Sequence, residues 1–110
     1  MGHLGVREKE LRAFLARVNH RFPLERAILF GSRARGDELK TSDYDLILVS
    51  SAFAGLGFTE RAREVLKLWD LEVGLEPLCY TPEELEERSR KITIVAEALR
   101  EGRQIWPSQS

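Results

Sequence analysis

The fold prediction depends mainly on two short stretches of the sequence. They are Phe30-Gly31-Ser32-Arg33-Ala34-Arg35-Gly36 and Ser42-Asp43-Tyr44-Asp45-Leu46. The apolar run 27–30 before Gly31 predicts a buried strand, and the alternating segment 43–50 predicts a second one. A period of two puts Tyr44, Leu46 and Leu48 on one face of that strand, and Asp43, Asp45, Ile47 and Val49 on the other.

The two aspartates are expected to share one face of the second strand. Asp43 and Asp45 would then repel each other unless a cation lies between them. Mg²⁺ removes this conflict, because one or two carboxylates, waters and phosphate oxygens complete its shell. The simpler interpretation is that Asp43 caps the strand and Asp45 is a solvated strand residue.

The segment after the first strand has the composition of a phosphate-binding loop. Gly31 has no side chain to keep an anion away from the backbone N–H groups, and Ser32 adds a hydroxyl donor. Arg33 and Arg35 are candidates to pair with phosphate oxygens, although both could be solvated loop charges. Gly36 would let the loop turn back.

A third carboxylate is expected from a neighbouring strand within residues 72–80. Glu76 is the best candidate, because its neighbours are apolar and an unpaired charge there would be costly. Asp70 and Glu72 are rivals that fit better in the turn after a helix, and Glu76 itself could be an edge-strand surface residue. A phosphate loop beside paired carboxylates is typical of enzymes that transfer phosphoryl or nucleotidyl groups.

The remaining pattern predicts helices around these strands. Residues at helical spacing form the apolar stripe of a first helix: Leu11, Phe14, Leu15, Val18 and Phe22. A helix is expected in 62–69, and Thr81-Pro82-Glu83-Glu84 predicts the capped start of the closing helix. The stripe of that helix would be Ile92, Val95, Ala96 and Leu99, and its stop Gly102. The order α-β-loop-β-α-β-α predicts an α/β (α+β) fold, a small sheet with helices packed on it.

Composition bounds the class of protein. The sequence has 110 residues, 43% hydrophobic and 32% charged, with a net charge of −1 and one cysteine. We therefore expect a single domain over residues 1–106 and a frayed tail at 107–110. No basic field favours nucleic acid, no intramolecular disulfide can form, and no cysteine cluster suggests zinc. Without a signal peptide or a membrane span, a cytoplasmic location is expected.

Together the motifs resemble a known family. Gly31-Ser32, ten intervening residues and then Asp43-Tyr44-Asp45 resemble the signature of the DNA polymerase β-like nucleotidyltransferase superfamily. The fuller strings, together with the segment 78–84, are similar to its minimal nucleotidyltransferase branch, and the resemblance covers nearly the whole chain. It implies a mixed, twisted sheet with an NTP–Mg²⁺ site, in which Asp43, Asp45 and Glu76 bind metal and Gly31 and Ser32 bind the triphosphate. The family usually has Asp where this sequence has Glu76.

The resemblance also implies a reaction. A hydroxyl acceptor would attack the α-phosphorus of an NTP, most simply AMP transfer from ATP, and release pyrophosphate. The acceptor could lie on a helical HEPN-type partner protein, as in toxin–antitoxin pairs, or be a small molecule or a nucleic-acid end. The alternative is a non-catalytic antitoxin, interaction module or nucleotide-binding protein on the same fold, and a homodimer is compatible with either reading.

Overall fold

The strands of the protein form one mixed sheet between two layers of helices. The computed structural model describes residues 8–31, 43–91 and 93–107. Its elements are α1 (Glu8–Arg21), β1 (Arg26–Phe30), β2 (Tyr44–Val49), a 3-10 helix (Ser51–Gly55), α2 (Phe58–Leu66), β3 (Leu75–Tyr80), α3 (Pro82–Lys91), α4 (Thr93–Glu101) and β4 (Arg103–Trp106). The strand order is β3-β2-β1-β4; β1 is antiparallel to β2 and β4, and β2 is parallel to β3. The predicted mixed α/β fold is confirmed.

Helices α1 and α2 cover one face of the sheet. The predicted stripe of α1 is buried in full: Leu11, Phe14, Leu15, Val18 and Phe22. It packs in one cluster with Val65 of α2 and with Tyr44, Leu46 and Leu48 of β2. Burial of each large apolar side chain contributes roughly 1.5–3 kcal/mol. As predicted, the helix ends ahead of Pro23.

Helices α3 and α4 cover the opposite face. The second cluster contains strand residues Ile28, Ile47, Val49 and Tyr80 and helix residues Leu85, Val95 and Ala98. Ile47 and Val49 therefore face away from Leu46 and Leu48, so the predicted alternation along β2 is confirmed. Among the described residues, no helix has the length and apolar character needed to cross a membrane.

The prediction of one closing helix is wrong, because the structure has α3 and α4 in its place. Leu85 and Val95 both pack on the sheet, yet on one straight helix residues ten apart would point about 80° apart. A break between the two helices lets both side chains reach the same face. Ala98 rather than the predicted Ala96 is buried in α4; Ile92 lies outside the described residues.

Strand β4 was not expected, and it occupies the free edge of β1. Ile105 is buried in the core cluster, and the Trp106 indole Nε1 donates a hydrogen bond to the Leu24 carbonyl at 3.2 Å. Trp106 thus packs against the core of its own domain. The domain boundary at 106 stays a prediction, and residues 108–110 of the predicted tail lie outside the described part.

An ion pair between the buried Arg61 and the half-buried Glu84 links α2 to the start of α3. Arg61 donates bidentately to Glu84, from Nη1 at 2.6 Å and from Nη2 at 3.1 Å, and also to the carbonyls of Leu56 and Cys79. The predicted capping box is confirmed: the Thr81 N–H donates to Glu84 Oε1 at 3.0 Å and the Glu84 N–H donates to Thr81 Oγ1 at 3.2 Å. Glu84 therefore ties the end of β3 to both helices.

Removing the charge of Glu84 should destabilise the protein in a pH-dependent way. The hydrogen bonds from Arg61 lower the pKa of Glu84 from 4.5 to about 2. Ionised Glu84 therefore stabilises the fold above pH 4.5, and this contribution is lost as the pH falls from 4.5 towards 2. The side chain is 34% exposed, so solvent screening reduces the effect. We expect Glu84→Gln to lower the free energy of unfolding by about 1–2 kcal/mol at pH 7.

Urea denaturation at pH 7 and at pH 3 measures this difference, which should shrink at the lower pH. The matched control is Glu87→Gln on the same helix, because Glu87 pairs with Lys91 at 3.0 Å while both side chains are exposed. An exposed pair contributes little, so the control should change stability much less. Equal losses in both variants would contradict the role given to the buried pair.

Candidate active site

The ends of three neighbouring strands bring Asp45, Glu76 and Gly31 together. Phe30, the last residue of β1, pairs with Asp45 of β2, so Gly31 lies beside the start of β2. Because β2 and β3 are parallel, Asp45 has Glu76 as its register partner. The sequence prediction placed Glu76 on a neighbouring strand, and the sheet puts it directly next to Asp45.

A cavity of about 460 Å³ opens between these strand ends and α4. The sheet side is lined by Phe30, Gly31, Asp45, Glu76, Leu78 and Tyr80. The helix side is lined by Ile94, Val95, Glu97, Ala98, Glu101 and Gly102. The two strand carboxylates thus share one cavity with apolar side chains of the sheet and the helix. Concave sites of this size with a few polar groups are typical of ligand binding.

The electrostatics of the cavity favour a bound cation. Burial raises the pKa of Asp45, and the negative charges of Glu76 and Asp43 raise the pKa of Asp45 further. Each of these causes disfavours the ionised carboxylate, and a divalent cation would reverse the charge repulsion. A bound metal ion would therefore remove the repulsion between these carboxylates.

Gly31 is required by its backbone and by its neighbour. Its φ is 78°, a conformation that side-chain-bearing residues rarely adopt. A Cβ at this position would also collide with the carboxylate of Asp45. The sequence had explained Gly31 by the approach of phosphate, and the structure adds the fit of the Asp45 side chain.

Asp43 does not line the cavity that contains the other two carboxylates. It lies directly before β2, is exposed, and its carboxylate contacts the position of Gly74. Within the ranges 8–31, 43–91 and 93–107, no group of three or more His, Cys, Asp or Glu side chains is close enough to hold a metal ion. The pair Asp45 and Glu76 still fits Mg²⁺, which one or two carboxylates hold while phosphate and water supply the other ligands. The metal-binding roles of Asp43, Asp45 and Glu76 stay predictions.

The rest of the predicted phosphate loop lies outside the described residues. This applies to Ser32, Arg33 and Arg35, so their assignment to the triphosphate also stays a prediction.

The rival carboxylates lie elsewhere, as expected. Asp70 accepts a hydrogen bond from Arg17 Nη2 at 3.0 Å, and its side chain is 73% exposed. Asp70 and Glu72 both fall between α2 and β3, and neither lines the cavity. Cys79 is buried, which raises the pKa of its thiol to about 12 and makes it a poor nucleophile near neutral pH.

The wall of α4 is the part of the site that the sequence did not predict. Ile94, Glu97 and Glu101 line the cavity, but the sequence pattern marked only a buried stripe on this helix. A signal was present in Ile94, a large apolar residue off that stripe, which is 58% exposed. An apolar residue placed against the amphipathic pattern can mark a contact surface.

Comparisons with known proteins agree with this geometry. A model of the nucleotidyltransferase domain family matches residues 11–100. The fold is also similar to that of a crystal structure from Sulfolobus solfataricus whose assignment as a nucleotidyltransferase is itself provisional. The TM-score is 0.65 and the identity 24%, over 89% of this chain and 78% of that chain. No curated protein matches the sequence.

The family match includes all the strands that meet at the cavity from the sheet side, and the structural likeness supports the same fold. Gly31, Asp45 and Glu76 lie together at neighbouring strand ends. This site lies within the matched residues, and the chain belongs to the nucleotidyltransferase domain family.

Proposed function

We propose that this protein is a Mg²⁺-dependent nucleotidyltransferase of the minimal branch, acting in the cytoplasm, which transfers AMP from ATP to a hydroxyl acceptor. The observation that carries the proposal is the pairing of Asp45 with Glu76 in one cavity beside Gly31. Two adjacent carboxylates beside a segment that would bind phosphate suit a ligand that brings both phosphates and a metal ion.

The residues that would bind the triphosphate and the metal ion lie on, or directly next to, different strands. The backbone after β1, from Gly31 onward, would hold the triphosphate, and Asp43, Asp45 and Glu76 would hold the Mg²⁺. Bound Mg²⁺ would neutralise charge on the phosphates and on the attacking and leaving oxygens. The acceptor oxygen forms a bond to the α-phosphorus, the bond from that phosphorus to the bridging oxygen breaks, and pyrophosphate leaves. The acceptor proton passes to Glu76 or to water.

The cavity lining favours an acceptor whose hydroxyl is carried on an uncharged body. Leu78, Ile94 and Val95 provide apolar surface, and Glu97 and Glu101 add negative charge. None of the described residues that line the cavity is Lys or Arg. A nucleic-acid end carries phosphates that require cations, so we expect it to be a poor acceptor.

A helical HEPN-type protein is the partner that we propose as the source of this hydroxyl. Support comes from the exposed Ile94 on the wall of the cavity, which offers an apolar contact beside the reacting groups. A hydroxyl on the surface of such a partner would enter the cavity beside α4.

The second candidate function is a non-catalytic interaction or nucleotide-binding module. It is favoured by the position of Asp43, which leaves no group of three candidate metal ligands in the described part of the chain. The raised pKa of Asp45 argues against it, because a module that binds no metal has no need for adjoining acids that repel each other.

Nucleotide binding should depend on both Mg²⁺ and Asp45. Calorimetric titration with ATP should give heat only when Mg²⁺ is present, and Asp45→Asn should weaken binding more than about tenfold. Losing a residue that only supports a metal ligand typically lowers metal affinity by about tenfold or more, so losing a ligand itself should lower it at least as much. Asp70→Asn is the matched control, since Asp70 lies outside the cavity, and it should bind as the wild type does. Binding of ATP to wild type without Mg²⁺, at equal affinity, would contradict the metal site.

Transfer itself should require Asp43 as well as Asp45. With ATP labelled at the α-phosphate and a candidate partner protein, the label should move to the partner. Asp43→Asn and Asp45→Asn should each lower the rate at least about 100-fold while the fold is retained. An RNA 3′ end offered in parallel should take up little label. Wild-type-like transfer by Asp43→Asn would remove Asp43 from the catalytic set, and Mg²⁺–ATP binding without transfer to any acceptor would favour the binding module.

A further inference from the structure

Each aspartate of the predicted pair lies against a glycine of a neighbouring strand segment. The carboxylate of Asp45 contacts the Gly31 position after β1, and the carboxylate of Asp43 contacts the Gly74 position before β3. The Asp45 side chain thus lies towards β1 and the Asp43 side chain towards β3, the two strands that flank β2. Gly31 belongs to the predicted motif, whereas neither the motif nor the cavity accounts for Gly74.

The contact at Gly74 leaves no room for a side chain. A Cβ there would lie 2.7 Å from Asp43 Oδ1 and 2.9 Å from its Cγ. These distances are far below ordinary van der Waals contact. The backbone at this point is held by the sheet, because the Tyr44 N–H donates a hydrogen bond to the Gly74 carbonyl at 3.0 Å. Any conflict would therefore be relieved by movement of the short, exposed Asp43 side chain.

The backbone of Gly74 gives no other reason for a glycine. Among the described glycines only Gly31 has a positive φ, so an L-residue at position 74 would adopt its conformation without strain. The atoms that a new Cβ would meet within 3.1 Å all belong to the Asp43 carboxylate group. A side chain at 74 should consequently displace that carboxylate and leave the fold intact.

We propose that Gly74 is a positioning residue of the metal site, whose missing side chain leaves room for the Asp43 carboxylate beside the strand that carries Glu76. This inference rests on the proposed function. Asp43 and Gly74 directly precede the paired residues Tyr44 and Leu75, and so lie two residues before Asp45 and Glu76 on their strands. Displacing the Asp43 carboxylate would therefore move its negative charge relative to the pair that would hold the cation.

The test compares Gly74→Ala with Gly55→Ala in the full chain. Gly55 is a matched control, because a Cβ there would meet no atom within 4 Å. The probe is Mn²⁺, which accepts the same oxygen ligands as Mg²⁺, titrated with and without ATP and followed by electron paramagnetic resonance. We expect Gly74→Ala to bind Mn²⁺ about 10-fold more weakly, the effect typical of residues that orient metal ligands. The melting temperature should be unchanged, and Gly55→Ala should match the wild type.

The outcomes separate this inference from the proposed function. If wild type binds Mn²⁺ and Gly74→Ala binds it equally well, the positioning role is overturned and the proposed function stands. A loss of affinity that comes with a large fall in melting temperature also overturns it, since the role would then be structural. If wild type binds no Mn²⁺ even with ATP, both proposals fail. Should Gly74→Ala not fold, Asp43→Ala replaces it: unchanged Mn²⁺ affinity in that variant overturns the inference, and a loss of 10-fold or more supports it.

Discussion

The site depends on the parallel pairing of β2 with β3, which fixes Asp45 next to Glu76. Two like charges side by side would tend to push the strands apart, so the pairing must be stabilised elsewhere. The rest of β2 provides this stabilisation, because Leu46, Ile47 and Leu48 are fully buried. Apolar packing on both faces of the central strand thus holds a local arrangement that its own electrostatics disfavour. Repulsion between neighbouring carboxylates of this kind is common at functional sites, where a bound cation relieves it.

Parallel pairing also determines the connection between the two strands. It requires a crossover, which residues 50–74 supply with the 3-10 helix and α2. Arg61 of this crossover donates hydrogen bonds to the Cys79 carbonyl at the end of β3 and to Glu84 at the start of α3. The antiparallel pairing of β1 with β2 then brings Gly31, at the end of β1, next to the start of β2. Helix packing, strand direction and the position of the carboxylates are therefore consequences of one topology.

Much of the fold could be predicted because its signals are local. The stripe on α1, the alternation along β2 and the capping box at Thr81 each reflect contacts between residues close in sequence, and the structure has all three. The break between α3 and α4 and the pairing of β4 with β1 are set by distant parts of the sheet. Nothing in 103–106 distinguishes a strand, since its formation depends on the free edge of β1. The carboxylates were visible as a motif, but the α4 wall of the cavity was not, because it is formed by packing.

The cavity combines features that a purely structural domain has little reason to keep. A core of this size is stabilised by apolar contacts, yet Asp45 and Glu76 sit beside Leu78 with no described basic residue lining the same space. Replacing either acid with an apolar residue would remove the repulsion and extend the packing between the sheet and α4. The acids make physical sense when their charge is balanced by a ligand that is present only part of the time. In the proposed function a metal ion arriving with a nucleotide has this property, and the apolar half of the cavity would remain for the group that receives the nucleotide.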